Sequence, residues 1–407
     1  MIQSGDTAFV LVCAALVLLM TPGLALFYAG MVRRKNVLGT IMQSFVMISL
    51  ITLEWVYLGY SMCFGPDVAG FVGNLSWVGL SGVGAAPNPD YAPNIPHMVF
   101  MIYQCMFAVI TPALITGAFA ERVRFAPFLA FSLLWAILVY NPVCHWLWGA
   151  GGWLKQQGVL DFAGGLVVHL TCGAAALAAT MVIGPRKDFG RRQFFPHNLP
   201  MTLTGTGLLW FGWFGFNAGS ALAADAVAST AFVATHLGGM AGMAMWTLVE
   251  WKHRGKPTTL GAASGAIAGL ATITPAAGFV SPNAAVCIGL LAGLICYLAV
   301  LTKSRLGYDD SLDVVGIHGV GGLIGTLCVG IFATKAANPA GADGLLAGSA
   351  TQLAKQGLGV LVVGVYSFIL SWGILKAVNA FSPLRQEVEA ESVGMDIGEH
   401  SETAYSD

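Results

Sequence analysis

Polar and charged residues in this chain gather into short clusters, and the stretches between the clusters are apolar for 17 residues or more. About 20 apolar residues cross a bilayer core as a helix. By that ruler the pattern predicts eleven spanning helices, at about 7–31, 37–64, 97–119, 126–147, 161–184, 199–219, 229–250, 259–275, 283–302, 313–333 and 354–378. The eighth is short and rich in Gly and Ala, so its limits are the least marked. The clusters are basic on one side only. The segments after the first, third, fifth, seventh and ninth spans hold Arg33, Arg34 and Lys35; Arg122 and Arg124; Arg186, Lys187, Arg191 and Arg192; Lys252, Arg254 and Lys256; and Lys303 and Arg305. With Lys376 and Arg385 after the last span, sixteen of the nineteen Lys and Arg share one side, against Lys155, Lys335 and Lys355 on the other. Positive loops stay in the cytoplasm, which predicts an external N-terminus and an internal C-terminus.

With an external N-terminus, spans 1–5 and 6–10 run in opposite senses. Each set ends in a span that carries a histidine deep in apolar sequence: His169 in DFAGGLVVHL and His318 in DVVGIHGVGG. Each of these spans opens near an aspartate, read as Asp161 and Asp313. That is the pattern of an inverted-topology repeat with its site where the halves meet. The expected organisation is a transmembrane transporter domain over 1–378, with halves of about 1–190 and 191–340. Span 11 (354–378) braces the bundle, and 379–407 forms a polar cytoplasmic tail rich in acidic residues. The fold class is therefore an all-α polytopic membrane protein.

Composition narrows this further. The chain has 407 residues, 56% hydrophobic and 10% charged, with a mean hydropathy of +0.74; soluble domains carry about 25% charge. The formal net charge of −1 argues against nucleic acid as a partner. The 52 glycines suit close helix packing in lipid. None of the eight cysteines forms a CxxC pair, so they read as packing residues rather than a disulfide framework or a metal site. The first six residues, MIQSGD, carry no positive charge, so the first apolar run reads as a retained helix rather than a cleaved signal.

An ionisable group at membrane depth marks a pathway, a relay or a ligand. If the two imidazoles meet, one ring N–H can donate to the other ring's free nitrogen, and the pair is expected to rest neutral and to relay or accept a proton. His145 and His236 lack such matched positions and read as structural. Phe107 lies mid-span, Phe216, Trp213 and Ser220 share WFGFNAGS, and Trp148 ends the fourth span at its outer edge. Rings at an outer mouth can hold a cation against their faces, and rings across a pore exclude hydrated ions. Glu54, a carboxyl inside the second span, fits either a bundle hydrogen bond or a cation path.

These residues sit in runs that resemble the Amt/MEP/Rh ammonium transporter family, of the bacterial Amt type: MTPGLALFYAGMVRRKN, AERVRF, DFAGGLVVHL, PHNLP, WFGFNAGSA, RGKPTTLGAASGAIAGLATITPAAGFV and DVVGIHGVGGLIG, in that order along nearly the whole chain. The resemblance implies a homotrimer in the bacterial inner membrane, serving nitrogen metabolism, with one pore per subunit and no cofactor or metal. It implies that His169 and His318 are the pore's twin histidines, that Phe107 and Phe216 are its gate, and that Phe107, Trp148 and Ser220 recruit ammonium. It also implies that Asp161 supports that site's architecture and that Trp213 lines the inner path. The tail run VGMDIGEHSETAY resembles the family's regulatory C-terminus, which implies packing on the cytoplasmic face and docking of a PII-type signal protein. Tyr103 and Glu54 depart from the family pattern. The implied mechanism recruits ammonium, removes its proton at the Phe gate and passes ammonia along the imidazoles, with or without net proton transfer. Two other readings stay open: a membrane redox enzyme with both histidines on one haem iron, and a sensor that reports ammonium through its tail.

Overall fold

The computed structural model describes residues 1–405. A helix occupies each of the eleven apolar stretches. They are α1 (Ser4–Met31), α2 (Val37–Glu54, continued by Trp55–Gly59 and Tyr60–Phe64), α3 (His97–Ile115), α4 (Phe125–Trp135, Ala136–Tyr140 and Asn141–Trp148), α5 (Gly165–Leu170 and Thr171–Ile183) and α6 (Leu199–Ala218). The rest are α7 (Ala226–Arg254), α8 (Thr259–Ile273), α9 (Pro282–Leu306), α10 (Val315–Gly319 and Val320–Phe332) and α11 (Ala350–Phe381). Among the described residues, nine helices are long and apolar enough to cross a membrane. Helix α6, diluted by Gly, Thr and Asn, is not one of them, and α8 is a shorter apolar helix of 15 residues.

Helix pairs at equivalent places in the two halves pack on each other, α1 along α6 and α5 across α10. Both crossings depend on glycine. A Cβ on Gly173 of α5 would overlap the Gly319 main chain of α10, and one on Gly205 of α6 would overlap the main chain at Phe27 of α1. Small residues at such crossings let backbones touch, the main source of helix attraction in lipid. Helices α5 and α10 both open with a π-helical turn, Gly165–Leu170 and Val315–Gly319, and these turns carry His169 and His318. A π turn inserts an extra residue and rotates the side chains that follow, and such turns gather at functional sites.

The tail is packed rather than free. After α11 it pairs briefly with the loop before α4, through Arg124 N–H to Leu384 O (2.8 Å) and Gln386 N–H to Arg122 O (3.0 Å). Two short helices follow, α12 (Val388–Val393) and α13 (Met395–His400). Asp396 accepts the Gly39 N–H (2.9 Å), Glu391 accepts the Lys187 N–H (2.6 Å), and Glu399 accepts the Phe125 N–H (2.9 Å). Beneath it lies an ion-pair network. Arg186 clasps Asp309 with Nε and Nη2 and reaches Glu121 with Nη1 (3.0 Å), and Arg33 also holds Glu121. Burial pushes the Glu121 and Asp309 carboxyls up, but the adjacent guanidinium groups, Arg186 foremost, outweigh it and hold both below the usual carboxylate range. The eight cysteines are unpaired thiols, and all but Cys287 are buried.

Candidate conduction site

The expected site residues converge on one line through the bundle, from an outer cavity to an inner one. The outer cavity holds about 440 Å³ and is lined by Phe107, Trp148, Asp161 and Ser220, together with Gln104, Asp90, Lys155 and Asp225. Asp161 shapes its floor. Its Oδ1 accepts the N–H groups of Gly164 (2.9 Å) and Gly165 (2.6 Å), and its Oδ2 those of Leu166 (2.8 Å) and Val167 (3.0 Å). The carboxylate therefore caps α5 and satisfies donors that a helix start leaves orphaned. Its main-chain carbonyl accepts the Trp148 indole N–H (2.9 Å), which fixes that ring at the cavity wall. Trp148 meets Phe107 edge-on at 5.8 Å and 88°.

Phe107 and Phe216 close the floor of the outer cavity, with centroids 4.2 Å apart and planes at 35°. Both are about 1% exposed, so no open channel passes between them. Tyr103, one turn before Phe107, holds this pair in place: its hydroxyl lies 2.8 Å from Phe216 O and 3.2 Å from Ser220 Oγ, and its ring packs on Phe107. The sequence showed Tyr103 only as a departure from the family pattern. Its helical spacing of four from Phe107 is the signal that could have found this role.

Below the rings lies a cavity of about 10 Å³, lined by His169, His318, Trp213, Phe216 and aliphatic side chains such as Leu114 and Ile267. That is room for about one water molecule. The imidazoles face each other Nδ1 to Nδ1 at 3.1 Å with planes at 16°. One Nδ1 must carry the shared proton and the other accept it. The Nε2 of His169 is buried and has no partner among the described residues. Trp213 stacks on His169 at 5.6 Å, and its indole N–H is bound by Thr274 Oγ1 (2.9 Å), so the ring offers a face rather than a donor.

Asp161 and Asp313 both stand near the start of their spans, but the counterpart of the Asp161 cap is a different residue. Asp313 does not cap α10; it pairs with Lys303. Asp310 caps it, accepting the Val314 (3.1 Å) and Val315 (2.8 Å) N–H groups. Asp161 and Asp310 each stand eight residues before their histidine. Asp313 directly precedes α10, at φ 65°, and its main-chain carbonyl accepts the Ile317 N–H (2.9 Å). Glu54 lines neither cavity; it is buried among α2 and α4 and accepts a hydrogen bond from Asn141 (2.8 Å). His145 has both ring nitrogens occupied, by Cys63 O and Asp67, as a structural histidine should. His236 lies exposed on α7 against Trp210.

The family model described as the Ammonium Transporter Family matches residues 8–405. The chain belongs to that family. An ammonium transporter of Bacillus subtilis (strain 168) is 53% identical over 406 residues, covering all of this chain and 99% of its own length. Among solved structures, Mep2 of Saccharomyces cerevisiae superposes with a TM-score of 0.89 at 36% identity, over 95% of this chain and 91% of its own. A protein described as a Sensor Amt Protein superposes at 0.90 with 30% identity, over 97% and 98%. The family and the Bacillus subtilis relative are ammonium transporters, not enzymes. The geometry agrees: a haem held by both histidines would need its iron between the two rings, and their nitrogens are already in hydrogen-bond contact beside a cavity of about 10 Å³.

Proposed function

We propose that this chain conducts ammonium nitrogen across a bacterial inner membrane by the route that the two cavities outline. Ammonium is recruited at Phe107, Trp148 and Ser220, loses its proton above the Phe107–Phe216 pair, crosses as ammonia past His169, His318 and Trp213, and is reprotonated inside. The observation that carries this reading is the hydrogen-bonded imidazole pair in a small apolar cavity beneath two closely packed, tilted phenyl rings. Ammonium and potassium are alike in size and charge. Stripping water from either ion costs several kcal/mol or more in a low-dielectric interior. Ammonium escapes that cost by giving up its proton, and potassium cannot.

The same reading gives eleven crossings with the N-terminus outside. The halves, about 1–190 and 191–340, are inverted with respect to each other, α11 is a brace, and 379–407 is a cytoplasmic regulatory segment. The contacts of α1 with α6 and of α5 with α10 support it. The subunit is read as one of three in a homotrimer, with a PII-type signal protein as its cytoplasmic partner. A sensing role through the docked tail is a second reading, favoured by the likeness to a Sensor Amt Protein. The test of the transport reading is the His169→Leu/His318→Leu double variant in reconstituted vesicles, with ammonium against potassium. Loss of ammonium-selective flux is expected; unchanged flux and selectivity would sink it.

A further inference from the structure

The outer cavity contains a cation of its own. Lys155 lines the same space as Phe107, Trp148, Asp161 and Ser220. Its Nζ donates to the main-chain carbonyl of Trp148 (3.3 Å). Trp148 is the last residue of α4, so this carbonyl belongs to the C-terminal end of a helix. The final carbonyls of a helix are unpaired and carry its negative partial charge, which favours a cation placed there. A side-chain ammonium is the nearest chemical likeness to the ion that the cavity is read as recruiting: a compact positive charge with N–H donors in three directions. It stands on the acceptor and in the field that an arriving ammonium ion would use.

The three carboxylates around it, Asp90, Asp161 and Asp225, temper this charge without taking its place on the Trp148 carbonyl. Asp161, the most deeply placed carboxylate in the cavity wall, spends its oxygens on four backbone N–H groups. Asp225 caps α7 through the Ala228 N–H (2.9 Å). Asp90 is exposed in the loop before α3. Asp90, whose charge acts on Lys155, offsets part of this, but the amine and not a carboxylate occupies the Trp148 carbonyl.

We propose that Lys155 is an affinity-setting residue, a built-in competitor that weakens capture of external ammonium without touching the conduction path below the rings. The proposal rests on the recruitment reading of Phe107, Trp148 and Ser220. Removing the charge should lower the half-saturating ammonium concentration and leave the maximal rate unchanged. Two unit charges several ångströms apart in a wet cavity shift an occupancy by about two- to fivefold. Salt should erase most of the difference, because the screening length falls from roughly 30 Å at about 0.01 M to about 3 Å at about 1 M.

The experiment measures saturation curves of ammonium-evoked current in proteoliposomes, or of internal pH if the flux carries no charge, at low and high sodium chloride. The proteins are wild type, Lys155→Gln, Lys155→Arg, Lys355→Gln and Trp148→Leu. Lys155→Gln is expected to lower KM at low salt with kcat kept, Lys155→Arg to restore the wild-type value, and Lys355→Gln to change neither. Lys355 lies beside Gly158 on the same outer face but does not line the cavity, so it reports on surface charge alone. Trp148→Leu should raise KM. If Trp148→Leu raises KM and Lys155→Gln matches wild type at low salt, the Lys155 proposal fails and recruitment stands. If Trp148→Leu leaves KM unchanged, the recruitment reading fails and takes this proposal with it. An equal drop in KM for Lys155→Gln and Lys355→Gln would reduce the effect to general surface charge and overturn the proposal.

Discussion

Replacing Asp161 with Asn tests whether that carboxylate is a helix cap or a cation ligand. The two carboxylate oxygens accept four N–H groups, two each. Asparagine keeps one oxygen and puts an NH₂ donor where the other was. Two buried donors then lose their acceptor, at roughly 1–3 kcal/mol each, so about 2–6 kcal/mol of stability should go. A further ~0.3–1 kcal/mol follows from losing a negative charge at a helix N-terminus. Asp310 provides an internal standard. Its oxygens accept one N–H each, so Asp310→Asn orphans a single donor and should cost about half as much by the same rule. The assay is the thermal midpoint of the purified proteins in one detergent, followed by tryptophan fluorescence, with KM for ammonium measured in parallel. Asp161→Asn should melt lowest and Asp310→Asn between it and wild type. If Asp161→Asn melts like wild type but shows a raised KM, the carboxylate acts on the ion and the capping argument is wrong.

Gly173→Ala should separate α5 from α10, because the added methyl meets the Gly319 main chain, which cannot step aside; overpacking of this kind costs typically about 1–3 kcal/mol. Melting should fall and flux with it, whereas Gly373→Ala, which meets no atom, should keep both. Arg186→Ala strips a partner from two buried carboxylates, Asp309 and Glu121, and should cost about 3–5 kcal/mol, seen as a lower midpoint and faster proteolysis of the tail. Glu121 and Asp309 are held below the usual carboxylate range in the folded protein. Their contribution is therefore full above the ordinary carboxyl value and lost as pH falls through the folded values. The midpoint should not change through these two groups between about pH 5 and 8 and should drop below about pH 4, and Glu121→Gln should remove part of that drop.

What the sequence revealed depended on contrast. A histidine in an apolar run is conspicuous, and so His169 and His318 were legible before any helix was placed. The aromatic residues became legible only through the family resemblance, because Phe and Trp in a membrane helix are otherwise ordinary packing. Asp313 does stand at the start of its span, but the cap comes from Asp310; the equal spacing of eight residues in DFAGGLVVH and DSLDVVGIH was the signal for it. The π turns left no mark, since they alter rotation and not hydropathy. The docking of the tail was illegible from composition. An acidic segment reads as solvated until its partners, Gly39 at the start of α2, Phe125 at the start of α4 and Lys187 in the loop after α5, are brought beneath it. Lys155 was visible only as one of three positive residues on the outer side; its place in the cavity is a product of the turn after α4.

The capping of α5 also bears on where the proton goes. A carboxylate has about four lone-pair sites, and those of Asp161 are all spent on backbone donors, so it is a poor base for an ammonium ion above the phenyl rings. Within the outer cavity the acceptors left for the proton are the exposed carboxylates of Asp90 and Asp225 and water. Below the rings, His169 and His318 are the only titratable residues among those lining the inner cavity. Under the proposed route a proton left in the outer cavity gives electroneutral transport. A proton that follows the ammonia must pass across the imidazole pair, whose 3.1 Å contact already shares one proton between two Nδ1 atoms. Current and nitrogen flux measured on the same vesicles should therefore separate in the single variant His169→Leu. If the proton follows, charge moved per nitrogen falls towards zero while residual ammonia still crosses. Where the wild-type ratio of charge to nitrogen is above zero, a variant that keeps it, with potassium still excluded, would show that the proton has a path outside this pore.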